Sequence, residues 1–312
     1  MGYASVPGKV TLLGEHAVVY GYPALVMAIN LYTSASSEEG GDAVIIDSRY
    51  PGGHTRSVME LDGKGGDELP YVKAAIKKVW QLQGSRKPAI ISINSELPYG
   101  SGLGSSASVS VAALAAYLSL YGAKKEPWEI AALGREVEAE VQGRASPMDT
   151  LAVSLGGTIK VIPPGDFEKL NESMGFELLL ACVTKELSTG EAVAFVRRRK
   201  EELGSRFIQI LDEIGSLVEE SVSAIKAHDT SRLFSLINRN EELLEELGIV
   251  TPRTLKIVHM ARELGAACAK ISGGGFGGCV LVAGGDRRAM TRLGALADRV
   301  FVVRESKGMS YQ

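Results

Sequence analysis

The chain has 312 residues, 45% hydrophobic and 23% charged, enough for one large domain or two ordinary ones around a sizeable core. A formal net charge of −3 argues against a general nucleic-acid binder, which carries a basic excess. Three cysteines (Cys182, Cys268 and Cys279) are too few and too scattered for a disulfide framework or a zinc site; Cys182 and Cys279, in apolar strand-like runs, read as small buried thiols, a usage that fits a reducing compartment.

The opening third is β-rich, with strands expected at Val10–Leu13, Ala24–Ile29, Ala43–Asp47 and Ala89–Ile93. Lys9, Glu15 and His16 interrupt the early apolar pattern, so it is not that of a signal peptide, and the cytoplasm is the expected location. Val72, Ala75, Ile76, Val79 and Trp80 fall at helical spacing within Tyr71–Gln83. A glycine-dense turn then leads into a run from Ser105 to Ala123, rich in Ala, Ser and Val, which reads as a helix buried on nearly all sides. A further helix, Pro127–Gln142, starts on a proline and stops at Gly143; a turn and a strand, Gly156–Ile162, come next. The polar stretch from Pro163 to Gly175 marks the expected boundary between domains 1–170 and 171–312. Beyond it come a strand, Phe176–Val183, and helices at Gly190–Glu202, Arg206–Ala227, Thr230–Leu247 and Pro252–Leu264. A second glycine loop, the strand Cys279–Ala283, a helix over Arg287–Arg299 and the strand Val300–Val303 complete an α+β chain in two lobes.

Three glycine-rich segments bear on chemistry. In Pro98-Tyr99-Gly100-Ser101-Gly102-Leu103-Gly104-Ser105-Ser106-Ala107, the glycines allow tight turns, and the helix beginning at Ser105 adds free amides and a positive dipole end. That is a cradle for a polyphosphate, with a hydroxyl available to Mg²⁺; as no Lys follows the last glycine, it is not a Walker A loop. The segment Ser272–Gly278 contains a formal G-x-G-x-x-G, but a helix is expected before it and a strand after it, the reverse of the dinucleotide-binding order. In the opening segment, Lys9 stands at a strand mouth, with Glu15 and His16 in the turn beyond; each alone is as well explained by solvation or structure. Glu138 and Asp149 offer the two carboxylate roles of phosphoryl transfer, one holding metal and one orienting or deprotonating the attacking hydroxyl. Without a phosphate loop facing them they would be a helix-surface charge and a cap.

In this order, the segments resemble the superfamily of galactokinase, homoserine kinase, mevalonate kinase and phosphomevalonate kinase. Pro7-Gly8-Lys9-Val10, Gly14-Glu15-His16-Ala17-Val18-Val19-Tyr20-Gly21 and Pro23-Ala24 are most similar to the mevalonate kinase members. The resemblance implies a ribosomal-protein-S5-like N-terminal domain and a ferredoxin-like C-terminal domain, with ATP as co-substrate and Mg²⁺ as cofactor. It implies that Pro98–Ala107 holds the ATP phosphates, that Ser106 and Glu138 ligate the metal, and that Asp149 is the base with Lys9 beside it. Glu15, His16, Thr189 and Gly273, Gly274 and Gly275 take substrate-side positions. The implied reaction is (R)-mevalonate phosphorylation at its C5 hydroxyl, with phosphomevalonate kinase, galactokinase and a non-catalytic sensor of the same fold as alternatives. The partners implied are these small molecules, without nucleic acid or membrane, and a homodimer is the assembly expected. Two departures stand out: Phe276 in a loop usually all glycine and alanine, and Ser146-Pro147-Met148 where Ser-Gly-x usually precedes the aspartate. With Lys9 the one cation evident in the motif, an acceptor that already carries a phosphate is disfavoured.

Overall fold

The computed structural model describes residues 1–143, 145–285 and 291–312, the side chains of Thr189 and Thr291 excepted. The first lobe is built on β1 (Gly2–Leu13), β2 (Ala24–Glu39), β3 (Val44–Tyr50), β4 (Gly53–Met59) and β5 (Ala89–Ser95), in spatial order β1-β2-β5-β3-β4. All neighbours are antiparallel except β3 and β5. Helices α1 (Pro70–Gln83), α2 (Ser105–Leu120) and α3 (Pro127–Gln142) cover one face. The run of small residues in α2 explains its depth: a Cβ on Gly2 would lie 2.2 Å from the Ala116 carbonyl oxygen, so strand and helix meet backbone to backbone. Val111, Leu114 and Leu118 are fully buried there, each worth roughly 1.5–3 kcal/mol. Trp80 of α1 donates its indole N–H to the Tyr117 hydroxyl of α2 at 2.7 Å, which satisfies a polar atom inside this core.

The sequence reading missed a short helix, α4 (Pro147–Leu155), ahead of β6 (Thr158–Ile162) and β7 (Asp166–Lys169). Its signals were present. Ser146 is the N-cap, accepting from the Met148 amide at 3.2 Å, and Pro147 occupies the first turn, where a missing N–H costs nothing.

The second lobe carries β8 (Leu178–Val183), α5 (Thr189–Leu203), α6 (Ser205–Lys226), α7 (Thr230–Leu247), α8 (Pro252–Glu263), β9 (Cys268–Ser272), β10 (Gly278–Ala283) and β11 (Arg299–Val303). Its antiparallel sheet runs β11-β8-β10-β9, a split arrangement of the ferredoxin-like kind. β9 corrects a second expectation: a strand, not a helix, leads into the second glycine loop. The dinucleotide reading still fails, because the strand β10 comes after the loop where a helix is required. The helix expected over 287–299 falls partly on 286–290, outside the described residues; a short 3-10 turn, Thr291–Ala295, occupies its middle.

Residues 304–312 return to the first lobe, where β12 (Ser310–Tyr311) pairs with β1 and Gly156 bridges Lys307. A division at 170/171 therefore assigns this last segment to the wrong lobe. Cys182 and Cys279 are cross-strand partners in β8 and β10 and form a disulfide, with Cα atoms 3.9 Å apart. Cys268 is the free, buried cysteine, so the expectation of buried thiols at Cys182 and Cys279, and the reducing compartment inferred from it, loses its support. The error came from judging pairing by sequence distance, since 97 residues separate two positions that the sheet register makes adjacent.

Candidate active site

The two glycine loops cross between the lobes. A Cβ on Gly102 would meet the Ser272 carbonyl oxygen at 3.0 Å, tighter than side chains normally approach, and Gly273 lies against Gly102 in ordinary contact. The Thr11 amide donates to Ser272 Oγ at 2.8 Å, tying β1 to the end of β9. Gly104 ends the first loop in a left-handed conformation (φ 76°), and no side chain caps α2, so its first amides face the cleft.

Lys9 lies directly beneath this helix start. Its amide donates to the Leu103 carbonyl at 2.9 Å, and a Cβ on Gly104 would come within 2.9 Å of its side chain. Only 2% exposed, Lys9 reaches Asp149 with its Nζ 3.0 Å from Oδ1. Asp149 sits in the first turn of α4 and is 30% exposed, open to the cleft on its other side. The Ser146-Pro147-Met148 departure is thus a helix start that fixes Asp149 in place.

Ser106, in the first turn of α2, donates to Glu138 Oε1 of α3 at 2.7 Å. Burial first, and then the charge of Asp149, push the Glu138 pKa up to about 7, against the opposing influence of Ser106 and Lys9. A buried carboxylate without a cation of its own, beside a hydroxyl, suits a hard divalent ion, and these oxygen donors fit Mg²⁺. Among the described residues no cluster of three metal-ligating side chains occurs. The remaining positions would therefore fall to phosphate oxygens and water, as is usual for Mg²⁺.

Glu15 and His16, both expected on the substrate side, point to different places. His16 holds a strained turn (φ 58°) and donates from Nε2 to the Gly274 carbonyl at 3.0 Å, joining the turn to the second loop. Burial lowers its pKa below the usual histidine value, despite the bond to Gly274. Glu15 turns away from the cleft: its carboxylate is fully buried against Lys270 and accepts from Asn240 Nδ2 at 3.2 Å. Its assignment as a substrate contact is therefore corrected, because both oxygens are already taken. Gly273 and Gly274 remain at the crossing, whereas Gly275 is packed against Ile249, whose carbonyl oxygen would be 2.5 Å from an added Cβ. Phe276 points into the second lobe, edge-on to Phe195 with ring centres 4.9 Å apart. Its departure from an all-glycine loop is thus an anchoring feature. Thr189 begins α5, and its side chain lies outside the described residues.

Sequence reasoning missed Lys185. It follows β8 into the cleft and lies within electrostatic reach of Lys9, Asp149 and His16. A second cation here overturns the expectation that Lys9 stands alone, and with it the charge argument against a phosphorylated acceptor.

The chain matches the GHMP kinases N terminal domain over residues 70–157 and the GHMP kinases C terminal domain over 221–294. Residues 2–36 match the galactokinase galactose-binding signature. It is 38% identical over 292 residues to a mevalonate kinase of Thermococcus sibiricus, covering 89% of this chain and 87% of that one. Against a mevalonate kinase of Pyrococcus abyssi the identity is 35% over 321 residues, covering 97% and 95%. Among solved structures, the Methanococcus jannaschii mevalonate kinase superposes with a TM-score of 0.86 at 28% identity, over 98% of both chains.

Proposed function

This chain belongs to the GHMP kinases, and within them to the mevalonate kinases; on that footing we propose that it transfers the γ-phosphoryl group of ATP to the C5 hydroxyl of (R)-mevalonate, giving 5-phosphomevalonate and ADP for isoprenoid precursor synthesis in the cytoplasm. The observation that carries the chemistry is the pairing of Lys9 with Asp149 at 3.0 Å, across from Ser106 and Glu138 at the open start of α2.

The uncapped amides of α2 and the bare backbone of Gly100–Gly104 receive the phosphates, with the dipole end favouring their charge. Ser106 and Glu138 would hold Mg²⁺, which when bound would supply charge neutralisation to the phosphates. Asp149 takes the proton from the attacking hydroxyl while Lys9, 3.0 Å from it, faces the charge that develops on the transferring group. The crossing of the two glycine loops and the bond between His16 and Gly274 shut one side of the cleft against water.

The acceptor rests on kinship: two relatives at 35% and 38% identity are mevalonate kinases. The galactose-binding signature favours a second reading, and it covers the turn in which Glu15 is withdrawn into the protein. A neutral hexose needs a partner for each hydroxyl, and each buried polar group left unpaired costs about 1–3 kcal/mol. ADP release measured with mevalonate, phosphomevalonate, galactose and homoserine, with and without EDTA, is the test. The highest kcat/KM is expected with mevalonate, and no turnover in EDTA; a higher kcat/KM with galactose or phosphomevalonate rejects the assignment.

A further inference from the structure

Lys185 is a cation built into the cleft without a counterion. Its backbone is clamped on both sides. The Thr184 amide and hydroxyl donate to Asp298 at 2.8 and 3.1 Å, and the Glu186 amide donates to the Phe276 carbonyl at 2.8 Å. The second glycine loop is shaped around it: a Cβ on Gly277 would lie 2.9 Å from Lys185 Cα, and one on Gly278 would lie 3.4 Å from its Cε. The disulfide between Cys182 and Cys279 joins the two segments just behind this contact. Yet among the described residues the ammonium makes no hydrogen bond or ion pair.

The surrounding charges leave it unmatched. Lys9 is balanced by Asp149, and burial disfavours the cationic form of His16. Burial, and after it the charge of Lys9, lower the Lys185 pKa from the usual lysine value, while Asp149 opposes them. Two lysines beside one aspartate leave one positive charge for a bound anion.

Building on the mevalonate reading, we infer that Lys185 is a specificity-determining residue that receives the carboxylate of the acceptor while Asp149 holds its distal hydroxyl. The ATP phosphates already have the start of α2 and the metal. Lys185 lies within electrostatic reach of His16, in the turn opposite. A small hydroxy acid then spans from the second lobe to the base.

The test compares mevalonate with 3-methylpentane-1,3,5-triol, which keeps the reacting hydroxyl and replaces the carboxylate by a neutral hydroxymethyl group. Lys185→Met is expected to raise KM for mevalonate at least about tenfold, the scale of one lost charge-assisted contact, with KM for ATP within about twofold. The preference for mevalonate over the triol should collapse towards unity, and Lys185→Arg should recover most of it. An unchanged preference, whether with a raised KM for ATP or with unaltered kinetics, overturns the proposal. Circular dichroism and a thermal melt confirm folding, with Lys185→Gln as substitute should the methionine variant not fold. Failure of wild-type enzyme to turn over mevalonate rejects the parent reading instead. The anion-against-neutral comparison is then made on the acceptor that is used, where equal preference in wild type and variant rejects the role of Lys185.

Discussion

Two lysine–carboxylate pairs each take one member, Lys9 or Glu15, from the chain's opening segment, and they do opposite things. Lys9 meets Asp149 in the cleft, where the aspartate is 30% exposed. Lys270 meets Glu15 beneath it, where neither side chain reaches solvent to any extent. The groups are chemically alike; access separates them. A carboxylate open on one side can exchange a proton with a ligand, whereas one enclosed by Lys270 and Asn240 can only hold its neighbours in place. The second pair thereby fixes the turn from which His16 reaches the glycine loop, so a buried ion pair acts as the footing of the exposed one.

The sharpest way to break the comparison is to remove one partner from each pair. Lys270→Met strands the Glu15 charge and is expected to cost about 3–5 kcal/mol of stability, the range for half of a buried pair. Chemical denaturation measures it, and a loss below about 1 kcal/mol would show the pair to be dispensable. Asp149→Asn should reverse the pattern, with ATP binding and stability retained while kcat falls by about 10²-fold or more. Turnover close to wild type would remove Asp149 from the chemistry.

The smallest effect is a pH dependence in the buried cluster. Glu241 accepts from the Ile271 amide at 2.9 Å, while its other oxygen is buried without a partner. Burial pushes its pKa up to about 7; Lys270 and the Ile271 amide oppose this, and Glu245 and Glu15 add to it. The folded state then binds this proton more tightly than the unfolded chain does. Its contribution is complete below the ordinary glutamate range and is lost as pH rises through about 7. At about 1.4 kcal/mol per pKa unit this is on the order of 2 kcal/mol, a fall of several °C in Tm between about pH 5 and 8, and Glu241→Gln should lessen that slope to the part that Glu138 contributes. A wild-type Tm that rises over the same interval would contradict the assignment.

The first glycine loop and the hydroxyls at its helix start were legible from local rules, glycines before a helix with Ser106 in its first turn, whereas Lys9, Glu138 and Asp149 were singled out only by the family resemblance, since each alone reads as surface charge or a cap. Lys185 was not, because a lone lysine after an apolar strand looks solvated until the opposite lobe is folded over it. Glu15 misled for the complementary reason, since its partner stands 255 residues away on β9, a strand that no expected element covered. The four helices of the second lobe were found to within a residue or two at each end from their apolar spacing. The disulfide and the return of the last segment were invisible, because both depend on sheet register between distant strands.

That return has a consequence for synthesis. Gly156 lies so close to residues 307 and 308 that a Cβ there would sit 1.8 Å from the Gly308 nitrogen, and β1 gains β12 as a neighbour. The first lobe therefore leaves the ribosome with one edge of its sheet bare and the floor beneath α4 unfilled. It acquires both only after the whole second lobe has been translated, at about 5–20 residues per second. Over those seconds an incomplete ATP-binding half is exposed to chaperones and proteases, and its sheet gains this edge only when residues 304–312 pair with β1 and Gly156.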